Sequence, residues 1–169
     1  EANQIYITAC GTSWHAGLIG KNVIEQFAKV PVHVEYASEF RYNDVIFDNK
    51  TIVIAISQSG ETADTLAAVN KANDVGAITI GICNVPGSSI ARATDCGVYT
   101  RCGHEIGVAS TKAFTTQVVV LTLMTLLIAK QEGKISKTNY RQIIRALELI
   151  PEKIETVLKT EEQIKEVAN

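Results

Sequence analysis

The sequence predicts an α/β protein, a three-layer α/β/α sandwich on a five-stranded parallel sheet. Three observations predict it. Short β-branched runs alternate with helical patterns, as they do in βαβ units. Two of those runs, 51–56 (TIVIAI) and 77–82 (AITIGI), are apolar throughout, as expected of strands covered on both faces. Hydrophobic residues make up 46% of 169 positions, enough for a sizeable core in one domain.

The first strand is expected at 4–8 (QIYIT), followed by a helix over 13–29. A second strand at 32–36 (VHVEY) leads into a short helix at 38–42. The third strand, 51–56, runs through SQSGET into a helix over 61–75. The fourth, 77–82, precedes a turn or helix at 88–93, and a weaker fifth strand lies at 97–100 (GVYT). After Thr100 the alternation stops. Residues 110–130 predict one long helix. Residues 136–149 predict another, capped by Ser136, and Pro151 opens a third over 151–167. Its apolar stripe, Ile154, Val157, Leu158 and Ile164, needs something to pack on. Residues 1–169 are therefore expected to form one domain, with a core over about 4–131 and C-terminal helices over about 136–167 that lead to a further domain. The chain starts without Met, a few residues before a strand, and reads as an excised domain.

Composition narrows the function classes. Sixteen Lys and Arg against 18 Asp and Glu give a net charge of −2, which argues against a nucleic-acid partner. Cys10, Cys83, Cys96 and Cys102 form no C-x-x-C pair and have no accompanying His-x-x-x-His, so no metal site is expected. With no secretory signal in the sequence, the expectation is reduced thiols in a cytoplasmic protein. The apolar run 118–129 is too short to span a bilayer and fits a buried core helix, so no membrane partner is expected.

Three turns are predicted at one end of the sheet: ACGTSWH (9–15), SQSGET (57–62) and GVASTK (107–112). Open α/β sheets bind ligands at the carboxyl ends of their strands, near the point where strand order reverses. Each turn also opens a helix, where free N–H groups and the helix dipole attract an anion without help from lysine. Gly60 permits close backbone approach, Ser57, Ser59 and Thr62 supply hydroxyls, and Thr12 and Ser13 add two more. The expected ligand is a dianion on a small hydroxylated molecule. Plain helix capping competes with this at any single turn. Glu61 is expected in the first turn of its helix, where it favours the dipole.

Rival chemistries lack their signatures. There is no G-x-x-x-x-G-K-[ST] phosphate loop, CGTSWHAG is not a dinucleotide fingerprint, and ISQSG fails the G-x-S-x-G elbow at its first glycine. Cys10 with His15 is a weaker candidate, as a thiol nucleophile and its base.

The segments CGTS (10–13), ASEFRY (37–42), SQSGETADTL (57–66), CNVPGSS (83–89) and EIGVASTKAFTTQ (105–117) together resemble the sugar-isomerase (SIS) family. Within it they are most similar to the first isomerase subdomain of the isomerising glutamine–fructose-6-phosphate aminotransferases, the glucosamine-6-phosphate synthases. The resemblance covers about 4–169 and implies the SIS fold with flavodoxin-like strand order 2-1-3-4-5. It also implies that Ser57, Gln58, Ser59 and Thr62 hold a phosphate, completed by Thr12 and Ser13. Val108, through its backbone, and Ser110 then lie near the sugar hydroxyls. In such enzymes a glutaminase domain feeds ammonia to two SIS halves, which convert fructose 6-phosphate to glucosamine 6-phosphate without a cofactor. The catalytic lysine, glutamate and histidine belong to regions outside these residues. The isolated chain is therefore expected to pair as a homodimer, bind sugar phosphate weakly and catalyse nothing. Glu105, as a base, and Lys112, as an imine-forming amine, are the weak catalytic candidates. Two alternatives stay open: a non-catalytic sugar-phosphate sensor, and a stand-alone aldose–ketose isomerase.

Overall fold

The computed structural model describes residues 2–168. The chain divides into two compact units, Glu1–Lys134 and Ile135–Asn169.

The first unit holds a five-stranded parallel sheet: β1 (Gln4–Ala9), β2 (Val32–Tyr36), β3 (Thr51–Ser57), β4 (Ile78–Cys83) and β5 (Cys96–Tyr99). Their order is β2-β1-β3-β4-β5, the expected arrangement. Its helices are α1 (Gly11–Phe27), α2 (Ala37–Tyr42), α3 (Ala63–Asp74), α4 (Ser89–Ala93) and α5 (Lys112–Gln131).

The period of two in each strand divides the core into two layers. Ile5, Ile7 and Ala9 of β1 join Ile54 and Ile56 of β3, Ile82 of β4, and Ile24 and Leu121 of α1 and α5. Tyr6 and Val53 point to the other face, against Phe40, Ala68 and Ala72. Ala55 and Cys83 on that same face meet Val69 and Ile90. Both faces of the central strands are therefore apolar, which explains the unbroken hydrophobic runs.

Helix α5 is longer than the apolar run inside it, because 112–117 and 130–131 extend it at both ends. By length and composition alone it suffices to cross a membrane. Ala113, Gln117, Leu121, Thr125, Leu126 and Ala129 are nevertheless buried within the unit, and α5 packs along α1. The two helices come close at Gly20, where a Cβ would lie 2.8 Å from Leu121 Cδ1.

The second unit contains α6 (Lys137–Glu148), α7 (Ile150–Leu158) and α8 (Glu161–Ala168). Ser136 caps α6, its hydroxyl accepting from the Asn139 N–H at 3.1 Å. The single helix expected over 151–167 is two, interrupted at Lys159 and Thr160. There the Thr160 N–H turns back to the Val157 carbonyl, a tighter bond than the helical spacing, and its hydroxyl donates to the same oxygen. Ile154, Val157, Leu158, Ile164 and Val167 are exposed.

Candidate functional site

The order of the sheet reverses between β1 and β3, and there Ala9 lies beside Ile56 at the carboxyl ends. Residues immediately beyond those ends surround a cavity of about 210 Å³. Thr12, Ser13, Ser57, Gln58, Ser59, Thr62, Val108 and Ser110 all line it, joined by Cys10, Gly11, Ile56, Glu105 and Gly107. Residues some hundred positions apart thus converge on one point. Helix α1 starts at Gly11, two residues earlier than the sequence pattern indicates, while α3 starts after Thr62 and α5 after Thr111. Three long helices therefore present their N-terminal residues at or beside the cavity, each with the partial positive charge of its dipole.

No lysine, arginine or histidine is among the described lining residues. The donors are hydroxyls, an amide and backbone N–H groups, and the hydrogen bonds already made decide which are free. Ser57 Oγ accepts from the Gly60 N–H at 2.9 Å and lies 3.0 Å from Thr62 Oγ1. One of that pair must donate to the other, which leaves one proton between them for a ligand. Ser57 thus shapes the loop as much as it offers a donor, a division of labour the sequence does not show. Ser59 Oγ accepts from the Glu61 N–H at 3.2 Å and keeps its own proton. Ser110 donates to Glu105 Oε2 at 2.9 Å, so its hydroxyl offers a ligand only a lone pair.

The loop is pinned from the far side. Asn84 N–H donates to the Gln58 carbonyl at 3.2 Å and Ile90 N–H to the Gly60 carbonyl at 2.9 Å. Gly60 adopts φ +68, and a Cβ there would sit 2.0 Å from Ser88 Oγ, so only glycine fits. Glu61 is not in the first turn of α3. It precedes that helix and accepts from the Ser89 N–H at 2.8 Å, at the start of α4. Its bonds with Ser89, reinforced by the charge of Arg92, hold its carboxyl below the usual glutamate range.

Glu105 has a similar task. Its Oε2 accepts from the Ala113 N–H at 2.9 Å, which caps α5 and holds its carboxyl below the usual range, with Ser110 and Lys112 adding to the effect. A carboxylate so engaged is a poor proton acceptor at neutral pH. Lys112 Nζ donates to the His104 carbonyl and is not among the lining residues. Cys10 lines the cavity, but His15 is exposed and meets Trp14 edge-on, while the buried Thr65 donates to the Cys10 sulfur. The thiol–imidazole pair is not assembled.

A larger cavity, about 320 Å³, lies at the opposite end of the sheet beside Lys29, Glu132 and Lys134. It sits past the C-termini of α1 and α5, whose dipole ends disfavour an anion.

Residues 1–127 match the SIS domain family, three-quarters of the chain. The chain belongs to the SIS domain family. It is 58% identical over 168 residues to a glutamine–fructose-6-phosphate aminotransferase (isomerizing) of Bacteroides thetaiotaomicron, covering 99% of this chain and 27% of that protein. The corresponding protein of Chlorobaculum tepidum is 53% identical over 168 residues, with the same coverage. This SIS domain thus spans about a quarter of the length of the curated relatives it matches. Among solved structures it superimposes on the C-terminal domain of glucosamine-fructose-6-phosphate aminotransferase from Francisella tularensis with a TM-score of 0.94 at 43% identity. That match covers 98% of the SIS domain and 47% of the solved chain.

Gln117 lies behind the cavity wall, in contact with the lining residue Ser13. Its side chain is buried in α5 and its Nε2 lies 3.0 Å from Ser13 Oγ. Its place within EIGVASTKAFTTQ was the only signal of that contact in the sequence.

Proposed function

We propose that this chain is the sugar-phosphate-binding half of the isomerase domain of an isomerising glutamine–fructose-6-phosphate aminotransferase. The single observation that carries the proposal is the cavity at the β1/β3 switch point. Three helix N-termini and a ring of hydroxyls meet there without a cation, a combination suited to a phosphate dianion. Thr12, Ser13, Ser59, Gln58 and the Ser57–Thr62 pair take the phosphate, and the Val108 backbone and Ser110 lie toward the sugar hydroxyls. Ser110 accepts from a sugar hydroxyl, since its own proton goes to Glu105.

The names of the relatives supply glutamine and fructose 6-phosphate as the substrates, and the family resemblance implies glucosamine 6-phosphate and glutamate as the products. The cavity volume supports a half-site, because complete small-molecule pockets run to about 300–1,000 Å³. The remaining wall and the catalytic groups come from a second SIS half, and ammonia from a glutaminase domain. Residues 136–167 connect this domain to that second half, and the protein works as a cytoplasmic homodimer. The engagement of Glu105 at α5 weighs against a stand-alone isomerase.

Titration of the chain with glucosamine 6-phosphate or fructose 6-phosphate, followed by amide chemical shifts, tests the proposal. Shifts are expected at 57–62 and 11–13, and a Ser59→Ala/Thr62→Ala variant loses them. Unchanged wild-type spectra at millimolar ligand would refute it.

A further inference from the structure

We infer that Gln117, which does not line the cavity, sets the direction of the Ser13 hydroxyl proton and thereby the affinity for an anion. Gln117 is 1% exposed, and its carboxamide meets Ser13 Oγ at 3.0 Å across 104 residues of sequence. Ser13 is itself buried, with 6% exposure, but lines the cavity.

An amide N–H only donates, and a serine hydroxyl has one proton. When Nε2 faces Ser13, the amide occupies an oxygen lone pair and the proton stays free for an acceptor in the cavity. When the carboxamide turns over, Oε1 takes that proton and Ser13 presents lone pairs to the cavity instead. Each orientation makes one bond to Ser13. In the observed one Oε1 is buried without a partner among the described residues, and in the other the NH₂ group takes its place. The observed orientation, with the amide donating, is the one that leaves Ser13 a proton to give to an anion in the cavity. Gln117 is a positioning residue: it acts on the ligand through Ser13 and touches neither ligand nor cavity.

This inference rests on the sugar-phosphate reading of the cavity, so the experiment measures both. Glucosamine 6-phosphate, inorganic phosphate and unphosphorylated glucosamine are titrated into the wild-type chain and into Ser13→Ala, Gln117→Met and Gln117→Glu. The last two are also made in the Ser13→Ala background. A lost hydrogen bond to a charged group corresponds to about tenfold in affinity, the loss expected for Ser13→Ala. Gln117→Met, which keeps the volume and removes the donor, weakens glucosamine 6-phosphate and phosphate binding by about threefold to tenfold. Gln117→Glu can only accept when ionised and weakens it further. Gln117→Met alone decides the matter if the buried carboxylate prevents folding.

In the Ser13→Ala background the Gln117 substitutions change affinity no further, because the intermediary is gone. Wild-type binding that Gln117→Met leaves unchanged overturns the inference and spares the phosphate reading. Equal losses with and without Ser13 mark a merely structural role and overturn it too. Absence of phosphate binding by the wild type overturns both.

Discussion

Glu61 and Ser89 join two segments that the sequence keeps apart: the Ser89 N–H donates to the Glu61 carboxylate at 2.8 Å. The bond fastens the cavity loop to the start of α4, behind the cavity wall. The folded state holds the Glu61 carboxyl below its ordinary range, so the unfolded chain binds its proton more readily. The stabilisation is therefore complete above the unfolded pKa of about 4.3 and is lost as pH falls through the lower folded value. In thermal melts Glu61→Gln should lie below wild type at neutral pH, and the gap should close as pH falls below the unfolded value of about 4.3. A gap that stays constant across that range would contradict the assignment.

Gly60 and Ser88 set a steric limit on the same loop. A Cβ at Gly60 would meet Ser88 Oγ at 2.0 Å and Ser88 Cβ at 2.4 Å, on a backbone held at φ +68. Gly60→Ala should cost about 1–3 kcal/mol in backbone strain alone, with the clash in addition. Adding Ser88→Gly removes the clash and not the strain, so urea denaturation should show partial recovery. Full recovery would mean that the left-handed backbone carries no cost.

The contact between α1 and α5 is a close one between unlike partners. Leu121 is buried, and its Cδ1 lies where a Gly20 side chain would begin. Leu121→Ala should lose about 2–5 kcal/mol, and Gly20→Ala about 1–3 kcal/mol by overpacking. The double variant should be less damaged than the sum, since the new methyl enters the space Leu121 vacates. Strict additivity in denaturation midpoints would argue against a direct contact.

Asn84 organises the chain after β5. Its Oδ1 accepts from the Cys102 N–H at 2.9 Å and from Thr100 Oγ1 at 3.2 Å, and its Nδ2 donates to the Gly103 carbonyl at 2.8 Å. Asn84→Ala leaves the half-buried Cys102 N–H without its partner and should cost about 1–3 kcal/mol. Hydrogen exchange at the Cys102 amide should accelerate, while exchange at β1 and β3 amides should change only by the loss of global stability. An unaltered Cys102 amide would remove Asn84 from this role.

The sequence made the sheet legible because its strands are apolar on both faces, as at 51–56 and 77–82. Strand order followed from the alternation with helices and from the resemblance. The site residues were legible as types: hydroxyls and glycine at helix starts. What each hydroxyl does was not. Ser57, Ser59 and Ser110 look alike in sequence, yet one braces a turn, one keeps its proton and one has given it to Glu105. Those differences depend on partners several positions away in a loop whose path no propensity specifies. Glu61 was misplaced for the same reason: its acceptor role is fixed by Ser89, 28 residues on. The split at Lys159 and Thr160 was hidden by apolar spacing that continues smoothly across it.

Among the described lining residues the cavity contains no lysine. An open-chain sugar is a carbonyl compound, and primary amines condense with it indiscriminately to give imines, the first step of glycation. A cradle that draws its positive potential from peptide groups can hold such a ligand by its anionic end without reacting with it. It also gives acetylating agents no amine to modify, and its field does not titrate near neutrality. With the proposed sugar phosphate in place, its carbonyl end would be left for whichever amine is placed to meet it.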